Sequence, residues 1–305
     1  MLKQLTNRIS QITLPSVYNR HVHCYLIEFD TYYVLVDCGE NNDESKEFWK
    51  QFLKTLTKPI THLIVTHIHT DHCGCCHLLQ RQTPLRILSS ARSKTKLQKM
   101  QQDTKNIGLI ESAARYGITY PYKHKKLLDE TEAHDFQIDE TFEDGHTFHF
   151  DNYKLTAIAT PGHASDQYSL YAEDDELLFA SDHLIGDFSP VLIIEDAFEN
   201  PLQSYLDSLD KLKSLSINLA LPGHGRIIET PKKLIETLEN RHFRKLQTIQ
   251  RHLQKHSYTA EELLYLLYKK DTKKASPQLM QLLSYLNFLM AQNKISQNHL
   301  SLSAQ

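Results

Sequence analysis

Apolar and polar positions alternate with a period of two over residues 8–38, through "RISQITL", "HCYLIEF" and "YYVLVDCGE". That period places successive side chains on opposite faces of a strand, and "FDT" between the last two runs reads as a turn, so a strand meander is predicted. The period then changes. In "NNDESKEFWKQFLKTL", Asn, Asp and Ser precede Phe48, Phe52 and Leu53 at helical spacing, the pattern of a capped helix with one apolar face. "THLIVTH" is a short, almost wholly apolar run, as expected of a strand covered on both faces. Strand, helix and strand in that order predict an α/β layered domain.

From Arg92 to Tyr116 a Lys- and Gln-rich segment keeps helical spacing, and the tyrosine-rich "YGITYPYKHKK" after it reads as a turn region. Residues 141–159 return to strands, with "DGHTFHFDNYKLTAIAT" as a hairpin, and "QYSLYAEDDELLFASD" is a second hairpin turning at Asp174 and Asp175. Leu202, Leu206, Leu209 and Leu212 share one face of a helix in "NPLQSYLDSLDKLKSL", and "INLALPGHG" is a strand entering a Gly-Pro turn. Beyond Ile228 the pattern is helical. A long helix spans 231–256, a second opens at Thr259 with Glu262 completing a capping box, a third spans 277–292, and "KISQNHLSLS" reads as a short strand pair. Two domains are expected: a main body over residues 1–228 and a helical, winged-helix-like unit over 229–305.

The formal net charge of −3 is unevenly shared. From Arg226 onward 13 Lys+Arg face 6 Asp+Glu, a surplus of +7, so the preceding residues carry −10. The opening "MLKQLTNRISQITLPS" has no basic stretch followed by a long apolar run, and no window approaches a membrane span, so a soluble cytoplasmic protein is expected. Five cysteines offer no disulfide framework and fit a reducing compartment. Cys73 and Cys76 form a C-x-x-C without the second pair a four-thiolate zinc site needs, so packed thiols are expected. The chain has no G-x-S-x-G elbow, no Walker A loop and no G-x-G-x-x-G fingerprint.

The candidate chemistry lies at strand ends. "THIHTDHCGCC", residues 66–76, sets His67, His69, Asp71 and His72 within six positions. Each would cost free energy if buried without a partner, whereas imidazole nitrogen and carboxylate oxygen together make a typical zinc ligand set. The spacing suits one ion at His67 and His69 and a second at Asp71 and His72. "TPGHASD" adds His163, "LLFASDH" adds Asp182 and "LPGHG" adds His224, each just past a strand end, where open α/β sheets gather functional residues.

This series of motifs resembles the metallo-β-lactamase-fold hydrolase superfamily. The helical tail is similar to the winged-helix extension of its lactamase-β-like and glyoxalase-II-like subgroup. The resemblance implies a four-layer αβ/βα sandwich, two mixed sheets facing each other with helices outside. It implies that His67, His69 and His163 hold one divalent ion, that Asp71, His72 and His224 hold a second, and that Asp182 bridges them. Zinc is the first expectation, with iron or manganese as alternatives. The chain departs from the family pattern at Cys75, which replaces a common glycine and is expected to crowd the turn. It departs again at His23, where the family often has asparagine. Asp37 in "VDCGE" is a candidate to steady a ligand histidine, and His183 is expected to point away from the centre.

The resemblance further implies an enzyme, a binuclear metallo-hydrolase using a metal-bridged hydroxide, with Asp71 and Asp182 as catalytic carboxylates. The first substrate expectation is a small acyl compound, such as a thioester, a lactone or a similar ester, with the tyrosine-rich segment 116–124 as a pocket wall. The alternative is an endoribonuclease or phosphodiesterase acting on single-stranded RNA, held by basic clusters in "NRHFRK" and "YKKDTKK". A distant third reading is a non-hydrolytic metal-binding or redox protein. No membrane partner is expected, and the tail is also suited to a homodimer contact.

Overall fold

The computed structural model describes residues 1–17, 19–102, 107–118, 132–195, 199–270 and 277–296. Most of the tyrosine-rich turn, part of "YKKDTKK" and most of the expected wing strands lie outside them.

Seven strands lie side by side in chain order: β1 (Leu2–Gln4), β2 (Ile9–Ser16), β3 (Arg20–Glu28), β4 (Tyr33–Val36), β5 (Ile60–Ile64), β6 (Arg86–Ser90) and β7 (Glu140–Phe142). The pairs from β1 to β4 are antiparallel and those from β4 to β7 are parallel. The second sheet contains β8 (Thr147–Phe150), β9 (Tyr153–Ala159), β10 (Tyr168–Ala172), β11 (Leu177–Ser181) and β12 (Leu219–Pro222), also adjacent in chain order. It is antiparallel except for the β11–β12 pair.

The period of two sorts the core into layers. Tyr25, Ile27, Val34, Val36 and Ile64 of the first sheet meet Leu155, Ala157, Leu170, Phe179 and Leu221 of the second. The alternate residues Cys24, Leu26, Leu35 and Leu63 pack outward against Trp49 of α1 (Asp43–Thr55), Leu79 of α3 (Cys76–Gln82) and Leu97 of α4 (Ala91–Gln101). On the far side, Ile158, Tyr171, Leu178 and Ala180 pack against Leu202, Leu206 and Leu209 of α6 (Pro201–Lys213). Helix, sheet, sheet and helix are thus stacked in the four layers the motifs imply.

Several details differ from the sequence reading. β1 and β6 are strands that the pattern did not announce: β1 has only three residues, and β6, RILSS, opens on a charge and closes on two serines, so its apolar signal is two residues long. β7 joins the first sheet, apart from the β8–β9 hairpin that follows it. The turn after "THIHT" contains a short helix, α2 (Thr70–Cys73), and the 92–116 segment contains both α4 and α5 (Ile107–Arg115). All five cysteines are free and buried, with Cys38 Sγ 3.5 Å from Cys76 Sγ, so they are packed thiols.

The C-terminal helices are α7 (Pro231–Leu253), α8 (Ala260–Tyr268) and α9 (Pro277–Ala291). Thr259 Oγ1 accepts from Glu262 N at 3.1 Å and the Glu262 carboxylate accepts from Thr259 N at 2.8 Å, the capping box read from sequence. Leu238, Leu246, Leu263, Leu282 and Leu286 share one buried cluster with α6 and the second sheet. Among the described residues no helix is long and apolar enough to cross a membrane.

Candidate metal centre

The centre is assembled by backbone turns that aim polar side chains at one point between the sheets. Asp37, just past β4, holds φ +56°, a left-handed conformation uncommon for a non-glycine residue. Its carboxylate accepts from Thr66 N and Thr66 Oγ1, both at 2.8 Å, and from His72 Nδ1 at 2.8 Å. Those bonds fix the His72 ring with Nε2 facing inward. Ile68 N donates to buried Asp166 at 2.9 Å, pinning the extended stretch between His67 and His69. Ser181 ends β11 at φ +47° and its hydroxyl lies 2.8 Å from Thr66 Oγ1, joining the two sheets directly before Asp182. Gly223 packs so closely that a Cβ would lie 2.3 Å from Asp182 Oδ1 and 2.7 Å from His72 Cε1.

The loop that carries His224 is sewn to β3 of the opposite sheet. Tyr25 OH donates to Pro222 O at 2.6 Å, His23 N donates to Gly223 O at 2.7 Å, and His224 Nδ1 donates to His21 O at 2.6 Å. On the other side, His163 Nδ1 donates to Val191 O at 2.7 Å. Each of these rings therefore presents Nε2 to the centre.

All seven residues singled out by the motifs converge. His67 Nε2 and His163 Nε2 each lie 2.9 Å from His69 Nδ1. One Nδ1 carries a single proton or a single lone pair and cannot bond both neighbours, so the three nitrogens fit a shared ion better than each other. Asp71 Oδ2 lies 3.1 Å from His224 Nε2 and 4.0 Å from His72 Nε2. Asp182 reaches both groups: its oxygens lie 3.3 Å from His72 Nε2, 3.3 Å from His224 Nε2 and 3.5 Å from His163 Nε2. Ligand atoms bound tetrahedrally at about 2.0–2.1 Å would stand about 3.3 Å apart. His72 Nε2, His224 Nε2 and Asp182 Oδ1 are buried without a hydrogen-bond partner, and His67/His69/His163, His67/His72/Asp182 and Asp71/His72/His224 are each grouped tightly enough to hold a cation. Buried unpaired atoms of this kind need an electrophile, and the donor set fits divalent ions.

The electrostatics of the protein alone divide the centre. Burial, reinforced by neighbouring imidazoles, holds His67 and His69 well below the ordinary histidine pKa, leaving neutral rings with lone pairs to donate. Burial works the same way on His72 and His224, but carboxylates overcome it. Asp182, Asp71 and Asp37 raise His72 well above its usual value, and Asp182 with Asp71 brings His224 up to about 10. Reciprocally, His72 and His224 overcome burial to hold Asp182 well below the carboxylate range.

Other candidates are turned elsewhere. His23 Nε2 donates to Gly225 O at 2.9 Å and its Nδ1 lies 3.1 Å from Thr13 Oγ1, so both nitrogens are engaged. His21 Nε2 accepts from Gly225 N at 3.3 Å. His183 is fully buried with its ring against Tyr205. Cys75 does not crowd the turn: its thiol donates to Glu40 O at 3.2 Å, and the tight position is Gly74, where a Cβ would meet Thr70 O at 2.3 Å. Sequence reading missed Asp166 and Lys96. Asp166 is fully buried, accepts from Ile68 N, Ser93 Oγ and Lys96 Nζ, and shares Lys96 with Glu195. The only available signal was the aspartate three positions after His163 in "PGHASD".

A family model described as the metallo-beta-lactamase superfamily matches residues 17–224. Among curated relatives, a beta-lactamase-like protein 2 homolog from Caenorhabditis elegans is 30% identical over 227 residues, 74% of this chain and 63% of its own length. An atrochrysone carboxyl ACP thioesterase from Aspergillus fumigatus is 24% identical over 230 residues, 72% of this chain and 57% of its own. The chain thus spans less than two thirds of these relatives. Among solved structures, a beta-lactamase domain protein from Burkholderia ambifaria has a TM-score of 0.83 at 20% identity, covering 95% of this chain and 89% of that one. A metallo-beta-lactamase family protein from Thermus thermophilus has a TM-score of 0.81 at 22% identity, covering 95% of both chains. These two likenesses show the fold, with the C-terminal helices included.

Proposed function

We propose that this chain, which belongs to the metallo-beta-lactamase superfamily, is a binuclear metal-dependent hydrolase of small acyl thioesters and related esters. The observation that carries the reading is the position of Asp182, within 3.3–3.5 Å of imidazole nitrogens from both ligand groups. In this reading His67, His69 and His163 hold one ion, Asp71, His72 and His224 hold the other, and Asp182 serves both. Zinc suits the mixed nitrogen and oxygen donors. The thioesterase named among the relatives supports the choice of acyl substrate, as does the acidic charge of the body outside the tail. Residues 1–228 form the hydrolytic unit in this scheme, and 229–305 the helical unit beside it.

Divalent ions held by these residues would lower the pKa of water and polarise the acyl carbonyl. The chain itself does the rest. Val191 and His21 accept the Nδ1 protons of His163 and His224, so each ring offers Nε2 to an ion. Asp37 does the same for His72. In this reading Asp182 holds the two ligand groups in register, and Asp71 accepts a hydrogen bond from the attacking water.

Replacing Asp182→Ala or His224→Ala is expected to remove metal and to lower thioester kcat/KM by roughly 10²-fold or more. Elemental analysis and turnover on an acyl thioester, with labelled single-stranded RNA in parallel, check this. Full turnover with undiminished metal defeats the assignment, and cleavage of RNA alone defeats the substrate class.

A further inference from the structure

Beside the metal centre a cavity of about 490 Å³ opens between α7, α9 and the 189–191 segment, a size typical of small-molecule sites. Three cations of α7 line it: Arg241, Arg244 and Lys245. Their spacing of three and four residues puts them on one helix face, where like charges repel. Among the described residues no carboxylate reaches ion-pair distance of any of the three, and Lys245 Nζ instead lies 4.5 Å over the ring of Tyr268. Burial lowers the pKa of Lys245. Exposed Arg241 and Arg244 with half-buried Lys245, a triad without a carboxylate partner among the described residues, form an arrangement that an anionic ligand completes, and arginine is well suited to phosphate.

Two connections tie this cavity to the centre. Val191 lines it and also accepts the Nδ1 proton of His163 at 2.7 Å. Tyr285 lines it and is hydrogen-bonded to His242, whose ring meets Tyr205, whose ring in turn meets His183 beside Asp182. A ligand seated on the cations therefore lies next to the segment that positions a ligand histidine.

We infer that this cavity binds the phosphate-bearing end of a coenzyme A type thioester, with Arg241, Arg244 and Lys245 on the phosphates and the tyrosines beside the nucleotide. The inference rests on the thioester reading for its biological sense, but binding is measured separately from turnover. Coenzyme A is favoured over a carrier-linked arm because three cations exceed what a single phosphodiester needs, whereas its diphosphate and 3′-phosphate supply several charges.

The test is calorimetric titration of the full chain with coenzyme A, dephospho-coenzyme A and pantetheine. Affinity is expected to fall in that order, and to weaken with added salt. The triple variant Arg241→Gln/Arg244→Gln/Lys245→Gln is expected to lose at least tenfold in coenzyme A affinity. Lys232→Gln/Lys233→Gln, on the same helix outside the cavity, is expected to keep it. Melting curves of both variants identify any loss that comes from unfolding, and in that event Arg244→Gln alone replaces the triple variant. Equal binding of pantetheine and coenzyme A, or retained affinity in the folded variant, overturns the inference. Displacement of coenzyme A by single-stranded RNA of higher affinity overturns it in favour of a nucleic-acid surface. Coenzyme A binding with no thioester turnover would uphold this site while defeating the hydrolase reading.

Discussion

At Gly223 a single methyl group tests how tightly the centre is built. Its backbone needs no glycine conformation, yet the added carbon would stand 2.3 Å from Asp182 Oδ1. Gly223→Ala is therefore expected to push Asp182 and His72 apart and to lose bound metal while far-UV circular dichroism stays unchanged; elemental analysis decides. Asp166 tests the support. Asp166→Ala leaves Ile68 N without its acceptor but Lys96 still paired with Glu195, whereas Lys96→Met leaves fully buried Asp166 unpaired beside Glu195, so Lys96→Met is expected to be the costlier change, at about 3–5 kcal/mol in urea denaturation. The contrast between these residues and the histidines explains what the sequence could disclose. His67, His69, Asp71 and His72 are contiguous and chemically distinctive, so they are legible before folding. Asp166 acts on a residue 98 positions away and Gly223 acts by what it lacks, so their roles exist only once both sheets have closed.

Whole elements were legible where the apolar pattern is sustained or undiluted by polar residues. β2, β3 and β9 show their period, and α6 shows its leucine stripe, because several turns or alternations repeat the signal. β6, with a charge at its head and two serines at its end, is held by parallel partners on both sides, a tertiary circumstance that its own residues do not announce. In α7 the buried His242 makes an element-level prediction about acid. Burial, aided by Arg241, lowers its folded pKa to about 4 against 6.5 for the unfolded chain. Between those values the unfolded chain binds the proton more readily, so this contribution to stability is whole above pH 6.5 and is lost as pH falls toward 4. The loss approaches about 3 kcal/mol. Urea midpoints at pH 7 and pH 4.5 should therefore move less for His242→Gln than for the parent chain.

For the molecule as a whole, the C-terminal helices are part of the second sheet's covering layer. Ile235, Leu238 and Leu246 of α7 and Leu282 and Leu286 of α9 lie in the same buried cluster as Leu202 and Leu209. Removing residues 229–305 would bare that face, and an exposed apolar patch of this kind drives association. The truncated chain is expected to aggregate, as sedimentation would reveal, even though every candidate ligand is retained. The bonds from Tyr25, His23 and His21 to the loop around His224 join positions about 200 residues apart. Everything from His21 through Gly225 must therefore leave the ribosome before that seam can close. In the proposed reading, an ion held by His224 is therefore captured by two sheets that have already met, and it cannot template the early strands.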